Sequence, residues 1–323
     1  MKILAVDDDP FILELLPMIA AKAGFRDVTT TSSGELALEA MVSGATAFEC
    51  LLFDINMPEI NGIELCARAR QMPAYRRTPI IMLTAMSEKD YMDAAFKAGA
   101  TDYATKPFDI TELGARLRIA QELVDARRGP VAAVATAPSL RSVAANGLIC
   151  DLSDAIQIDG ATDLIDYAAL ANYLAQRSRA GLAASQVIAV KLDQIEVIHA
   201  RASGPEFNYA LAEVAHAVRE GLRTNGYLMA YAGRGIFVIV SNAATVVPAI
   251  ELETEVQSLL DSRNSEYDGG DPLDITVSIG NPIQPSVGNM GEVTSTFERA
   301  IARADERLLK KRSEPRPLNI RVR

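Results

Sequence analysis

The sequence predicts two domains, an α/β domain with a doubly wound, five-stranded parallel sheet and then an α+β domain with a mixed or antiparallel sheet. Over the first ~125 residues, short apolar strands alternate with helical segments, which is typical of a parallel sheet covered by helices on both faces. In the second half, strands outnumber crossovers, and one neighbouring pair has the pattern of a hairpin. The length of 323 residues suits two domains of roughly 150 residues each.

Five strands and five helices are expected in the first domain, residues 1–127. Pro10 suits the first turn of a helix, because its missing N–H would have no partner there. Ser32 or Ser33 is the expected N-cap of the second helix, and Thr111 that of the fifth. Right-handed crossovers fix much of the topology. The predicted strands are Ile3–Val6, Val28–Thr31, Cys50–Phe53, Ile80–Leu83 and Asp102–Ala104, and the predicted helices are Pro10–Ala23, Gly34–Ser43, Gly62–Gln71, Glu88–Ala98 and Thr111 to Arg127.

Residues 128–147 are rich in Pro, Gly, Ala and Ser and are interpreted as a linker. The second domain is expected to span residues 148–312, and a basic tail, residues 313–323, follows it. Its hairpin is expected to turn at Gly233–Gly235. The predicted strands of this domain are Val187–Leu192, Leu228–Tyr231, Ile236–Ser241 and Leu273–Ile279, and its predicted helices are Leu164–Arg177, Phe207–Arg223, Val246–Leu260 and Thr294–Lys311.

Composition narrows the classes of partner. Apolar residues make up 49% of the chain and charged residues 23%, as in ordinary soluble proteins. The formal net charge of −10 disfavours nucleic-acid binding, which depends on cationic side chains. Cys50, Cys66 and Cys150 have no CxxC spacing, and no apolar stretch approaches the ~18 residues of a membrane span. We therefore expect a cytoplasmic protein that binds neither membranes nor nucleic acid.

Polar and charged side chains follow the predicted strands of the first domain where each strand ends. Asp7 and Asp8 follow the first strand, Asp54 the third, Thr84 the fourth and Lys106 the fifth. Open α/β sheets bind ligands outside the carboxyl ends of their strands, so these side chains should converge. Three carboxylates in one crevice need a cation, and oxygen ligands suit Mg²⁺. Any single Asp could instead be a helix cap, but the whole set favours a phosphoryl-transfer site.

The stretches KILAVDDDP, LLFDINMPEINGIEL, PIIMLTA and GATDYATKPF resemble the receiver domain of two-component response regulators. The resemblance covers residues 1–127 and implies a flavodoxin-like fold. It also implies that Asp54 is phosphorylated by a histidine kinase or a phosphotransfer protein, with Thr84 and Lys106 assisting.

The same resemblance assigns a metal site and a switch. It implies that Asp7 or Asp8, together with Asp54 and the backbone carbonyl of Asn56, holds Mg²⁺. It further implies that Thr84 and Tyr103 shift when the domain is phosphorylated. A simpler interpretation of Tyr103 is core packing.

Weaker motifs in the second half resemble the GGDEF family of diguanylate cyclases, which have a nucleotide-cyclase-like fold. They are LMAYAGRGIFVIVS at 228–241, VSIG at 277–280, RADERLL at 303–309 and VKLDQIEVIHA at 190–200. The resemblance covers residues 148–312. The family signature aligns with Gly233, Arg234, Gly235, Ile236 and Phe237.

This alignment predicts a degenerate site. Arg234 replaces the second glycine, which lets the backbone approach phosphate, and Gly235 and Ile236 replace the acidic pair. Asp193 matches the first metal-binding Asp, although a solvated or capping Asp is the simpler interpretation. One carboxylate is a poor site for two Mg²⁺ ions and a triphosphate. The guanine-reading positions align with His199, Ala200 and Asn208, and the product-inhibition positions with Thr224 and Tyr227.

These observations predict a phosphorylation-controlled switch with no cyclase activity, although such a switch could also dephosphorylate itself weakly. Phosphorylation would act through a homodimer or through contacts with a downstream protein. Two alternatives stay open, namely a sensor of GTP or cyclic di-GMP and a residual diguanylate cyclase.

Overall fold

The structure, a computed structural model, describes residues 1–44, 47–85, 89–128, 164–222, 226–242, 248–285 and 289–313, together with residues 152, 158, 160 and 161. The chain separates into two compact units, residues 1–140 and 141–323. The predicted linker lies outside the described residues except for residue 128, and the predicted tail except for residue 313. No helix in the described ranges is both long enough and apolar enough to cross a membrane.

The first unit contains a five-stranded sheet in the order β2-β1-β3-β4-β5, and all of its strand pairs are parallel. This is the flavodoxin-like order, so the predicted fold class is confirmed for this unit. Its strands are β1 Lys2–Val6, β2 Asp27–Thr31, β3 Cys50–Asp54, β4 Ile80–Ala85 and β5 Asp102–Lys106. Its helices are α1 Pro10–Lys22, α2 Gly34–Ser43, α3 Gly62–Gln71, α4 Lys89–Lys97 and α5 Ile110–Arg128.

Apolar side chains on both faces of this sheet are buried, as in a doubly wound fold. One cluster packs Ile3 and Leu52 against Leu16 of α1 and Leu117 of α5. The cluster on the other face joins the sheet to α2, α3 and α4. Burial of β1 and β3 on both faces fixes the positions of the residues at their carboxyl ends.

The helix caps confirm one prediction and correct another. Ser33 caps α2, because its side chain accepts a hydrogen bond from the Leu36 N–H. Thr111 does not cap α5. The carboxylate of Asp109 accepts hydrogen bonds from the N–H groups of Thr111 and Glu112, at 2.7 and 2.9 Å, so the helix begins one residue before Thr111.

The second unit contains a mixed sheet in the order β10-β7-β9-β8-β6. Only the β6–β8 pair is parallel, and the other three pairs are antiparallel. The predicted hairpin is confirmed as β8–β9. The strands are β6 Leu164–Ile165, β7 Gln186–Leu192, β8 Tyr227–Gly233, β9 Ile236–Ser241 and β10 Val277–Ile279. The helices are α6 Tyr167–Ala175, α7 Arg179–Ala183, α8 Ile195–Arg201, α9 Gly204–Leu222, α10 Ala249–Arg263 and α11 Met290–Ser313.

Two predicted elements of this unit are wrong in extent. The predicted helix from Leu164 begins instead with the short strand β6, because Asp166 caps α6 through the Ala168 N–H and so starts the helix later. The predicted strand from Leu273 contributes only β10. Residues before it bond to one another, as when the Leu273 N–H donates to the Ser265 carbonyl. Helices α7 and α8 were not predicted.

Candidate functional site

The carboxyl edge of the parallel sheet brings three predicted site residues together. Asp7 directly follows β1, Asp54 is the last residue of β3, and Lys106 is the last residue of β5. The parallel register pairs Val6 with Phe53, so Asp7 and Asp54 leave neighbouring strands at the same level. Successive residues of a strand point to opposite faces of the sheet. Because Asp7 and Asp54 hold equivalent positions on neighbouring strands, their side chains lie on the same side and enter one crevice.

Lys106 lies between the two aspartates. Its Nζ is 2.5 Å from Oδ1 of Asp54 and 2.7 Å from Oδ2 of Asp7. Asp7 is fully buried and Asp54 is 5% exposed, whereas Asp8 is exposed. One carboxylate oxygen from each of the three aspartates lies within 4.8 Å of the others. The crevice is therefore acidic, mostly buried and open to solvent on the side of Asp8.

Burial perturbs the acidity of these groups. It raises the pKa of Asp54 to about 6, although the hydrogen bond and charge of Lys106 oppose the rise. Burial also raises the pKa of Asp7. Burial lowers the pKa of Lys106, but its hydrogen bonds to Asp54 and Asp7 outweigh this effect and leave the pKa above its ordinary value. Lys106 is thus a permanent cation, and Asp54 ionises only at some cost.

The charge balance and donor chemistry of the crevice fit a divalent cation. Three carboxylates face one ammonium group, which leaves two negative charges in excess when all are ionised. All the donors are oxygens, which Mg²⁺ and Ca²⁺ prefer, and Mg²⁺ commonly keeps several waters beside one or two carboxylates. Asp7, Asp8 and Asp54 could therefore hold Mg²⁺. Asn56 follows Asp54 by two residues in the sequence and is exposed.

A glycine that the sequence analysis did not single out shapes the loop after Asp54. A Cβ on Gly62 would lie 2.0 Å from the backbone oxygen of Asp54. The Gly62 N–H donates to the Ile55 carbonyl at 3.0 Å, and Asn61 caps α3. The start of α3 is thus pressed against the backbone of Asp54. The Asn61-Gly62 dipeptide was the available signal, since it marks turns.

Thr84 lies on the strand expected for a switch. It is 8% exposed, and its hydroxyl donates to the Ala85 carbonyl at 3.2 Å. Its strand β4 pairs directly with β3, with Leu83 opposite Asp54. Thr84 therefore follows the residue that pairs with the predicted acceptor, and its role toward a phosphoryl group stays a prediction.

Tyr103 is half-buried between two helices of the first domain. Its ring meets Phe96 of α4 edge-on, with ring centroids 6.3 Å apart. The guanidinium of Arg116 on α5 lies 5.8 Å from the Tyr103 ring centroid. Arg116 also pairs with the buried Asp102 at 2.8 Å. The sequence does not single out Arg116, because nothing in its local pattern distinguishes it from an exposed helical arginine such as Arg118.

The five positions that align with the GGDEF signature, residues 233–237, lie at the turn between β8 and β9. Gly233, Arg234 and Gly235 have positive φ values of 88°, 52° and 71°. A Cβ on Gly235 would lie 2.9 Å from the side chain of Ile195. Ile236 and Phe237 are buried, and Arg234 is exposed. Apolar packing thus occupies the inner side of the turn.

Asp193 follows β7 and is buried, so the simpler interpretation of Asp193 as a solvated aspartate is wrong. It is 6% exposed, and its Oδ2 lies 3.2 Å from Nζ of Lys311 on the last helix. His199 packs edge-on against Phe207, with ring centroids 5.1 Å apart. Across the described ranges, groups of three or more metal-ligating side chains are confined to Asp7, Asp8 and Asp54, and Thr224 lies outside those ranges.

Residues 3–118 match the family model described as "Response regulator receiver domain". The first domain is a receiver domain. Transcriptional regulatory protein TcrA of Mycobacterium tuberculosis (strain ATCC 25618 / H37Rv) is 37% identical over 130 residues, which are 40% of this chain and 47% of that protein. The alkaline phosphatase synthesis transcriptional regulatory protein PhoP of Bacillus subtilis (strain 168) is 38% identical over 117 residues, 36% of this chain and 47% of that protein.

Receiver domains are also found among similar solved structures. Chemotaxis protein CheY4 of Vibrio cholerae is 31% identical, with 37% of this chain and 97% of that chain covered and a TM-score of 0.35. The receiver domain of sensor histidine kinase PA1611 from Pseudomonas aeruginosa PAO1 is 29% identical, with 38% and 97% covered and a TM-score of 0.34. The chain spans about half the length of the curated relatives it matches.

Proposed function

We propose that this chain is a two-component response regulator in which Asp54 accepts a phosphoryl group from a histidine kinase or a phosphotransfer protein. The observation that carries the proposal is the contact of Lys106 with both Asp54 and Asp7 at the carboxyl edge of the receiver sheet. A nucleophilic carboxylate beside a fixed cation is what phosphoryl transfer requires, because catalysis there depends on positioning and on charge stabilisation.

The transfer forms a bond between an Asp54 carboxylate oxygen and phosphorus while the phosphorus–nitrogen bond of a phosphohistidine donor breaks. The leaving imidazole keeps the electron pair of that bond. Lys106 lies against Oδ1 of Asp54, where its ammonium can neutralise an incoming phosphoryl oxygen. Thr84 can donate its hydroxyl to another oxygen after rotating from its present partner. Mg²⁺ held by Asp7, Asp8, Asp54 and the Asn56 carbonyl would supply further neutralisation of the phosphoryl group.

The second domain is proposed to act as a non-catalytic output. Its sheet is mixed, and the alignment of its turn with a cyclase signature places Gly235 and Ile236 where the acidic pair would stand. Ile236 is buried and has no group that binds a metal. Phosphorylation would therefore change dimerisation or the binding of a downstream protein, with Thr84 and Tyr103 reporting the state of Asp54.

The relatives' names describe transcriptional regulators, but their matches cover 40% and 36% of this chain. An acidic chain of net charge −10 is better suited to a protein partner than to DNA, because DNA binding depends on neutralising phosphates.

Phosphate uptake tests the proposal directly. The full chain is incubated with phosphoramidate and Mg²⁺, and phosphorylation is followed by intact-protein mass spectrometry. We expect one added phosphoryl group that hydroxylamine removes, as for an acyl phosphate, and no addition in D54N. The control D27N, which changes an exposed aspartate of the same domain, should be phosphorylated normally. Full labelling of D54N, or no labelling of the unmodified chain, would contradict the proposal.

The proposed role of the second domain in dimerisation or partner binding is tested on the same samples. Light scattering with size-exclusion chromatography measures the oligomeric state with and without beryllofluoride, which mimics the phosphoryl group. We expect a change in mass or in captured partners that D54N abolishes. Calorimetry with GTP and cyclic di-GMP then tests the alternative of a nucleotide sensor, and GTP turnover tests the alternative of a residual cyclase.

A further inference from the structure

The ammonium group of Lys311 is enclosed by oxygen atoms in the second domain. Lys311 lies near the end of α11. Its Nζ donates to the Val277 carbonyl of β10 at 2.7 Å and lies 3.2 Å from Oδ2 of Asp193. Oε1 of Glu253 on α10 is 3.8 Å away. Three elements that are far apart in sequence therefore supply oxygens to a single cation.

Asp193 has unused capacity to bind a cation. Its side chain is 92% buried, since 8% of it is exposed. Its Oδ1 is buried and has no hydrogen-bond partner among the described residues. An unpartnered carboxylate oxygen costs free energy in a buried position, so Lys311 satisfies only part of what this carboxylate can bind. The second oxygen leaves this carboxylate able to bind a cation that accepts more ligands than an ammonium group does.

Glu253 and Arg307 complete the surroundings of this site. Arg307 on α11 donates to Oε1 of Glu253 at 2.7 Å, and Oε2 of Glu253 accepts the Ile279 N–H at 2.9 Å. Gln257 accepts the Val277 N–H at 3.1 Å. Side chains of α10 and α11 thus bind the backbone of β10, which is an edge strand. Two cationic side chains balance the two carboxylates.

We propose that Lys311 is the built-in cation of the second domain, occupying an oxygen-lined site that a divalent metal ion would otherwise take. Two carboxylates and a backbone carbonyl form a donor set typical of Mg²⁺, Mn²⁺ or Ca²⁺. An ammonium group attached to the chain cannot dissociate, so the position binds no exchangeable metal. The inference stands on the second domain alone, and its failure would leave phosphoryl transfer to Asp54 untouched.

The test is a titration of the full chain with Mn²⁺, in which free Mn²⁺ is measured by electron paramagnetic resonance. K311A should bind one Mn²⁺ per chain more than the unmodified protein, whatever number the receiver domain binds. The double variant K311A/D193N should lose that additional ion or bind it at least about tenfold more weakly, since a ligand is removed. K310A is the matched control, because it removes the same charge from the exposed neighbouring residue and should bind no additional Mn²⁺.

Two results would overturn the inference. One is a folded K311A that binds no additional Mn²⁺. The other is an unmodified chain that already binds Mn²⁺ at Asp193, shown by the loss of one ion in D193N. If K311A unfolds in the absence of metal, Mn²⁺ should restore its folding, as followed by circular dichroism. Failure of Mn²⁺ to do so, while the neutral double variant K311M/D193N folds, would also count against the inference.

Discussion

Replacing Asp54 by asparagine should make the receiver domain more stable at neutral pH in the absence of metal. Asp54 is 5% exposed, and burial raises its pKa from 3.8 to about 6. Its ionised form is therefore disfavoured in the folded protein. Asparagine has nearly the same shape and no charge, so D54N removes the cost of ionisation, while Lys106 keeps its contact with Asp7.

The magnitude and pH range follow from that pKa. One pKa unit corresponds to about 1.4 kcal/mol, so a rise from 3.8 to about 6 amounts to about 3 kcal/mol. Below pH 3.8 the carboxyl is protonated in both states and contributes nothing. Between pH 3.8 and about 6 the folded state binds more protons than the unfolded state, so stability falls as pH rises. Above pH 6 the full cost applies.

Hydrogen exchange followed by mass spectrometry measures this effect on the receiver domain alone. Amides of β3 report the free energy of opening, while denaturation of a two-domain chain need not be two-state. With EDTA present, we expect D54N to be more stable than the unmodified chain by about 3 kcal/mol at pH 7.5, with no difference near pH 4. Saturating Mg²⁺ should narrow the difference, because a bound cation favours the ionised carboxylate.

D27N makes the same chemical change at an exposed position and should alter stability by less than about 0.5 kcal/mol at any pH. The reasoning is refuted if D54N is less stable than the unmodified chain at pH 7.5 in EDTA. A stabilisation that is equal at pH 4 and pH 7.5 would refute the assigned cause, because it could not arise from ionisation.

Two further substitutions probe the packing around the site, and hydrogen exchange of the receiver domain measures the effect of both on stability. G62A places a methyl group 2.0 Å from the Asp54 backbone oxygen, so it should lower the free energy of unfolding by roughly 3 kcal/mol and slow phosphorylation. The control is G204A, since an added methyl group at Gly204 would meet open space; this variant should not slow phosphorylation. R116A leaves the buried Asp102 without its 2.8 Å partner and should destabilise by about 3 kcal/mol, whereas R118A, at an exposed position of α5, should change stability by less than about 0.5 kcal/mol. The structural reasoning would be contradicted if G62A and G204A slowed phosphorylation equally, or if R116A and R118A changed the stability equally.

The receiver half could be predicted from sequence because its signals are local and mutually consistent. Strands β1 and β3 are short apolar runs followed by or ending in an aspartate, as at Phe53 and Asp54, and the parallel topology then determines which ends meet. The position of Lys106 against Asp54 follows from this topology, although the two lie 52 residues apart. Helix caps were less predictable, since Asp109 and Thr111 are both suitable capping residues and the sequence alone does not show that Asp109 accepts the hydrogen bonds of the first turn.

The features that escaped prediction depend on contacts between distant residues. Lys311 meets Asp193 across 118 residues, and no sequence window contains both. The sequence predicts helix at the short strand β6, because Leu164 and Ile165 fit the helical pattern that follows. Their pairing with Met229 and Ala230 depends on the arrangement of the whole sheet, which local propensity does not carry.

The two domains resolve the same electrostatic problem in different ways. Each buries an aspartate directly after a strand, Asp7 after β1 and Asp193 after β7, which is costly unless the charge is compensated. In the receiver, Lys106 balances only one of three carboxylates, so negative charge is in excess. The raised pKa of Asp54 reflects the free-energy cost of ionising this buried group. That excess favours binding of a cation, which would in turn allow an anionic phosphoryl group to approach Asp54. Around Asp193, the side chains of Lys311 and Arg307 supply the compensation from within. If Lys311 neutralises the site around Asp193 as proposed, that site exchanges no ion, and the charge change proposed to transmit a signal occurs at Asp54.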